Sequence, residues 1–168
     1  MLVIFSGLPG VGKTALAREL ARQVGAVHLR IDAIEQAIRQ SGNTRDPLDD
    51  IGYRVAYAVA EDNLRIGRTV IADSVNPLRV TRDAWLEVAN RAHAGAIEIE
   101  VRCSDLAEHR RRVETRVADI PGLALPGWAE VAAREYDAWS REHLVIESAG
   151  RTIEQNVGVI RGALSGRR

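Results

Sequence analysis

Leu2-Val3-Ile4-Phe5-Ser6-Gly7-Leu8-Pro9-Gly10-Val11-Gly12-Lys13-Thr14 decides how the rest of this chain is read. Its opening apolar run is the pattern of a strand buried on both faces. Gly7 to Thr14 fit G-x-x-x-x-G-K-[ST] without a mismatch. Three glycines let the backbone turn tightly around an anion, with N–H groups pointing inward. After the loop, Leu16, Leu20 and Val24 fall four apart, so a helix follows and presents its positive dipole end to the same anion. Lys13 is then placed to reach the β- and γ-phosphates of a nucleotide, and Thr14 to offer a hydroxyl to Mg²⁺. Composition singles out the same position: of 23 basic residues, Lys13 is the only lysine and the other 22 are arginine. A compact ammonium fits where a guanidinium fork does not. The expected ligand is ATP with Mg²⁺, held by Gly7, Leu8, Pro9, Gly10, Val11, Gly12, Lys13 and Thr14.

Outward from the loop, strand and helix patterns alternate. Val27 to Ile31 alternates as a second strand ending at Asp32, and Ala33 to Gln40 reads as a short helix closed by Ser41-Gly42-Asn43. Pro47 to Ile66 reads as a longer helix, and Thr69-Val70-Ile71-Ala72 as a third buried strand ending at Asp73. Pro77 opens a helix over Leu78 to His93. Ile97, Ile99 and Val101 alternate with Glu98, Glu100 and Arg102, which predicts a half-exposed fourth strand. A polar helix over Asp105 to Val117 leads into a loop with Pro121-Gly122 and Pro126-Gly127. Ala129 to Arg141 reads as helix, Leu144 to Ile146 as a fifth strand, and Thr152 to Leu164 as a closing helix. Five strands separated by helices predict an α/β fold with a parallel sheet, whose ligands sit beyond the carboxyl ends of the strands. Gly7, Asp32, Asp73, Ser104 and Ser148 stand at those ends.

Two of these residues suit chemistry. Asp73, ending a buried strand near the glycine loop, is placed to orient Mg²⁺ or its waters; the alternative is a turn or cap before Pro77. Asp32 is placed to accept the proton of an attacking hydroxyl, or to cap the helix from Ala33. Arg112 and Arg116, four apart, share one face of the polar helix. On a hinged segment they would close over the phosphates, otherwise they belong to a solvated face. Tyr53 and Tyr57 share a helix face that either lines an acceptor pocket or packs on the core. Trp128, Tyr136 and Trp139 are spaced as a core-facing stripe. His28, His93, His109 and His143 lack metal-ligand spacing.

Composition narrows the partners. The chain has 168 residues, enough for one domain with its own core. Its formal charge is zero, which gives no global pull toward nucleic acid or an anionic membrane. Cys103 is the only cysteine, so no internal disulfide forms and a reducing cytoplasm suits the chain. No apolar run reaches the ~20 residues that span a bilayer. Residues 1–5 lack the basic n-region of a signal peptide.

Taken together, the strand, GLPGVGKT, the two strand-end aspartates, the arginine-rich helix and the fifth strand resemble the small P-loop kinases of the nucleoside-monophosphate-kinase-like group, which includes shikimate, gluconate and adenylylsulfate kinases. The resemblance covers nearly the whole chain. It implies residues 1–168 as one three-layer P-loop NTPase domain, sheet order 2-3-1-4-5, a helical lid over 105–128, and adenine near Ser148-Ala149-Gly150. The segment Val27 to Ala37, with Asp32-Ala33-Ile34-Glu35, is similar to chloramphenicol phosphotransferase of the AAA_33 group, in which the matching aspartate is the base. Val70 to Pro77 is similar to polynucleotide 5′-kinases, and zeta-type toxin kinases are further relatives. In the polynucleotide kinases an arginine follows the base by three residues; here Glu35 stands there, which counts against a nucleic-acid substrate. The expected activity is γ-phosphoryl transfer from ATP to a hydroxyl of a small molecule, with Lys13, Asp32, Arg112 and Arg116 catalytic and Thr14 and Asp73 on Mg²⁺. The alternatives are a polynucleotide or nucleotide 5′-hydroxyl kinase, and an ATP-binding regulatory module without phosphotransfer. The acceptor and the oligomeric state are not read from the sequence.

Overall fold

A computed structural model describes residues 1–42, 48 and 50–166. The strands are β1 (Leu2–Ser6), β2 (Val27–Arg30), β3 (Val70–Asp73), β4 (Ala96–Arg102) and β5 (Leu144–Glu147). The helices are α1 (Lys13–Val24), α2 (Ile31–Gln40), α3 (Ile51–Arg65), α4 (Arg79–Arg91), α5 (Leu106–Thr115), α6 (Trp128–Ala132) and α7 (Ile153–Ser165). All strand pairs are parallel and the order is β2-β3-β1-β4-β5, as expected.

The sheet has an apolar core on each face. Val3, Phe5, Ile71, Ile99 and Ile146 meet Leu16 and Leu20 of α1 and Val157 and Ile160 of α7. Leu2, Ile4, Val70 and Ala72 meet Ala56 and Ala60 of α3 and Trp85 and Val88 of α4. β1 lies in the middle with every residue buried, which is why its sequence is an unbroken apolar run. Its central place sets the glycine loop at the middle of the carboxyl edge.

Three helix boundaries differ from the sequence reading. The helix expected from Ala33 begins at Ile31, so Asp32 lies in its first turn and Arg30 takes the cap position without a side-chain cap bond. The cap alternative for Asp32 is thereby removed. The helix expected from Pro47 starts at Ile51 among the described residues; Asn43 and Pro47 lie outside them. The helix expected over Ala129 to Arg141 is one short turn, Trp128–Ala132, and the following strap runs irregularly to β5. Trp128, Tyr136 and Trp139 therefore do not share a helix face. Instead Arg82, buried on α4, donates to the Asp137 carbonyl at 2.7 Å and holds its guanidinium 4.3 Å from the Trp139 ring centre.

The fourth strand is not half-exposed. Glu98 and Glu100 are 7% and 4% exposed. Arg141 grips Glu98 through two bonds of 2.6 and 2.7 Å, and His143 lies 3.1 Å from Glu100. Alternation reported polarity correctly, but Arg141 of the strap pairs with Glu98 and Arg102 of β4 itself pairs with Glu100, and these partners let the carboxylates be buried.

Candidate functional site

The loop geometry follows from its glycines. Gly7, Gly10 and Gly12 have φ of 137°, 87° and 97°, a region that side chains disfavour. Gly7 has a second constraint: a Cβ there would meet the Val101 carbonyl oxygen of β4 at 2.3 Å. Gly7 N–H donates to Val75 O at 3.0 Å, which ties the start of the loop to the segment after β3. Asn76 tightens the same joint by donating to Phe5 O at 2.9 Å while accepting from Trp85 Nε1 at 3.2 Å. On the other side His109 of α5 lies 2.8 Å from Pro9 O through Nε2, and Val113 packs against Gly10.

Lys13 is buried and donates to Leu8 O at 2.9 Å, so its ammonium caps its own loop. Burial pushes its pKa down to about 8, against the attraction of Asp73 and Asp32 and with the repulsion of Arg116 and Arg134. These four groups therefore share the electrostatic field of the loop.

The two aspartates sit differently. Asp73 is 2% exposed, and His28 Nε2 lies 3.2 Å from its Oδ2. The parallel register explains this contact: Arg30 pairs with Asp73, and His28 stands two residues back on the same face of β2. Asp32 has a side chain 49% exposed, with Arg30 at 3.6 Å. A buried, bonded carboxylate suits a fixed metal-orienting role, and an open one suits proton transfer.

The two arginines differ as well. Arg112 is committed: it donates to Ser148 Oγ at 2.9 Å and Ser148 O at 3.0 Å, and it pairs with Glu108. Glu108 also accepts from Gly150 N–H at 3.3 Å, so α5 is fastened to the turn after β5. Arg116 caps the end of α5 and donates to Pro126 O at 3.1 Å, while its buried Nε has no hydrogen-bond partner among the described residues. Burial lowers its pKa, against the pull of Asp32.

One cleft of about 870 Å³ is lined by the loop residues Pro9 to Thr14 together with Asp32, Asp73, Arg112, Arg116 and Ser148. Gly7, Leu8 and Gly150 do not line it, although they shape the loop and the turn that do. Tyr57 packs edge-on against Trp85 at 4.6 Å between ring centres, so it belongs to the core. Tyr53, by contrast, lines a side pocket next to Asp32. Sequence reasoning missed His28, His109, Ser74 and Arg134. The histidines are visible only through the β2–β3 register and the packing of α5. Arg134 was assigned to a long helix that does not form.

A five-stranded parallel sheet ordered β2-β3-β1-β4-β5, with a phosphate-type glycine loop after its central strand, defines a P-loop NTPase fold. The chain belongs to the AAA_33 family, whose model, described as an AAA domain, matches residues 2–124. Among solved structures it is similar to the APS kinase CysC of Mycobacterium tuberculosis in complex with AMPPNP and APS, with TM-score 0.74 and 20% identity over 98% of this chain and 96% of that one. It is also similar to Kti12 of Chaetomium thermophilum in complex with ADP-AlF3 (TM-score 0.68, 19% identity, 97% and 98% covered). A gluconokinase from Sinorhizobium meliloti gives TM-score 0.64 and 17% identity, with 98% and 89% covered. At these identities the likeness establishes the fold. No curated protein matches the sequence. Among the described residues no helix is long and apolar enough to cross a membrane, and no group of three or more His, Cys, Asp or Glu forms a metal cluster.

Proposed function

We propose that this chain is an ATP-dependent kinase that transfers the γ-phosphoryl group to a hydroxyl of a small molecule, with Asp32 as general base. The observation that carries the reading is that a half-exposed carboxylate, Asp32, and the loop lysine, Lys13, line one cleft and feel each other's charge. In the step, the acceptor oxygen bonds to the γ-phosphorus, the bond to the ADP oxygen breaks, and the hydroxyl proton passes to Asp32. The loop amides and Lys13 would hold the phosphates, and Ser148, in the turn that Gly150 shapes, the nucleotide end of the cleft. Thr14 and Asp73 are hard oxygen donors that fit Mg²⁺, which when bound would neutralise charge on the phosphate oxygens. Residues 105–128 would serve as the lid. Arg116, with an unpartnered Nε, is the arginine we assign to the phosphoryl group; Arg112 is held by Ser148.

The test is a screen of hydroxylated small molecules for ADP release above the basal rate. With an acceptor in hand, Asp32→Asn should bind nucleotide as before and phosphorylate the acceptor ~10²–10⁴-fold more slowly. Wild-type turnover by Asp32→Asn would remove the base assignment.

A further inference from the structure

Helix α3 is apolar on two sides. Its inner side, with Ala56, Ala60 and Leu64, is buried against the sheet. Its outward side carries Ile51, Val55, Ala58 and Val59, and Ile66 one residue past its end, all of them exposed. Val55, Val59 and Ile66 are 42%, 40% and 72% exposed. Ile51, Val55 and Val59 follow at intervals of four, so they form one stripe along the helix. A solvated helix face is ordinarily polar, as on α1, whose exposed positions include Arg18, Arg22 and Gln23. Single apolar side chains on a surface need no explanation, but a contiguous stripe does.

The charges within the stripe say what covers it. Arg65 is paired with Glu61 on its own helix. Arg54 and Asp62 are exposed, and their side chains have no ion-pair or hydrogen-bond partner among the described residues. Arg54 lies toward the positive end of the helix dipole and Asp62 toward the negative end, the reverse of what the dipole favours. Each stands four residues from Ala58. Two copies of α3 packed antiparallel about a twofold axis at Ala58 therefore set Arg54 of one against Asp62 of the other, twice, with Val55 and Val59 between. In a parallel pair like charges would meet. The small side chain of Ala58 at the crossing lets the helix axes approach to the ~8–10 Å of packed helices. The chain's formal charge of zero adds no overall repulsion between copies.

We propose that the outward face of α3 is a self-association surface, on which a second copy of this chain docks antiparallel with its own α3. Such an interface is isologous: one patch, complementary to itself, serves both copies. It does not depend on the kinase reading. A single helix face covers less than the ~800 Å² per partner of a standard interface, so the dimer is weak, with a dissociation constant on the order of 10–100 μM.

Sedimentation velocity on the full chain from about 5 to 500 μM should show a monomer–dimer equilibrium. Val55→Lys should abolish it and leave the melting temperature unchanged. Arg54→Asp and Asp62→Arg both suit the helix dipole better than the native residues, so α3 stays folded in each. Each variant alone should associate about 10-fold more weakly, because like charges then meet. An equimolar mixture of the two should associate nearly as the wild type does, because opposite charges meet again in the mixed pair. Apolar stickiness without a fixed register cannot produce that recovery. The proposal is overturned if the wild type stays monomeric to the top of the range, if the charge variants dimerise as the wild type does, or if the mixture fails to recover. It is overturned equally if the chain binds phosphatidylcholine–phosphatidylserine vesicles as a monomer and Val55→Lys abolishes that binding, since the stripe is then a membrane surface.

Discussion

At the scale of single residues, Lys13 makes a sharp statement about pH. Its pKa in the folded protein lies near 8, below the ordinary lysine value, because burial disfavours the charge. Phosphates arriving at the loop favour the charged form, so nucleotide binding should take up protons near pH 8 and weaken as pH rises above it. For folding the sign is opposite. The unfolded chain holds this proton more tightly, so between about 8 and ~10.4 the lysine's contribution to stability rises with pH. Calorimetry of ATP binding in buffers of different ionisation enthalpy checks the first half, and denaturant titration across that window the second. The two arginines separate equally well. Arg116→Ala should lower kcat ~10²-fold with KM for ATP little changed, the mark of a contact made in the transition state. Arg112→Ala should chiefly raise KM for ATP, because it frees Ser148 and the turn beside it. Steady-state kinetics on the pair of variants decides. The loop residues were legible because their motif is contiguous. Asp32 was legible in place but not in setting, since whether it caps or faces solvent depends on where α2 begins.

At the scale of elements, the strap from 133 to 143 is held by charge and not by helical hydrogen bonds. Arg141 is its anchor, bonded to Glu98 on β4 and paired with Asp83 on α4. Arg141→Met should destabilise the fold by about 2–3 kcal/mol, somewhat below the loss from breaking a fully buried pair, because it leaves the Glu98 carboxylate buried alone. Adding Glu98→Leu should recover most of the loss in chemical denaturation, because the buried charge itself is then gone. Recovery of none would mean that Arg141 acts through packing on Trp139. The strap also explains what sequence could and could not give. Strands and most helices announced themselves by period, because each buries a face of its own. The segment after α6 has helix-forming residues, yet Arg82 and Asp137 bind its backbone and side chains to α4 in an irregular path. Tertiary contacts of that kind, 55 residues apart or more, leave no local pattern.

At the scale of the whole molecule, the cleft is assembled from the carboxyl ends of strands that are distant in sequence, and β1 is the hub. It pairs with β3 from Leu2↔Val70 and with β4 from Leu2↔Ala96. A ribosome makes β1 long before either partner. At roughly 5–20 residues per second, about 3–13 s separate completion of β1 from completion of β3, the first of its two partners to be made. Throughout that interval Leu2-Val3-Ile4-Phe5 is an unpaired apolar segment, the kind of sequence that chaperones hold and that aggregates when they are scarce. The central position that gives the loop its place at the carboxyl edge of the sheet thus makes biosynthesis, rather than equilibrium stability, the exposed moment in the life of this protein.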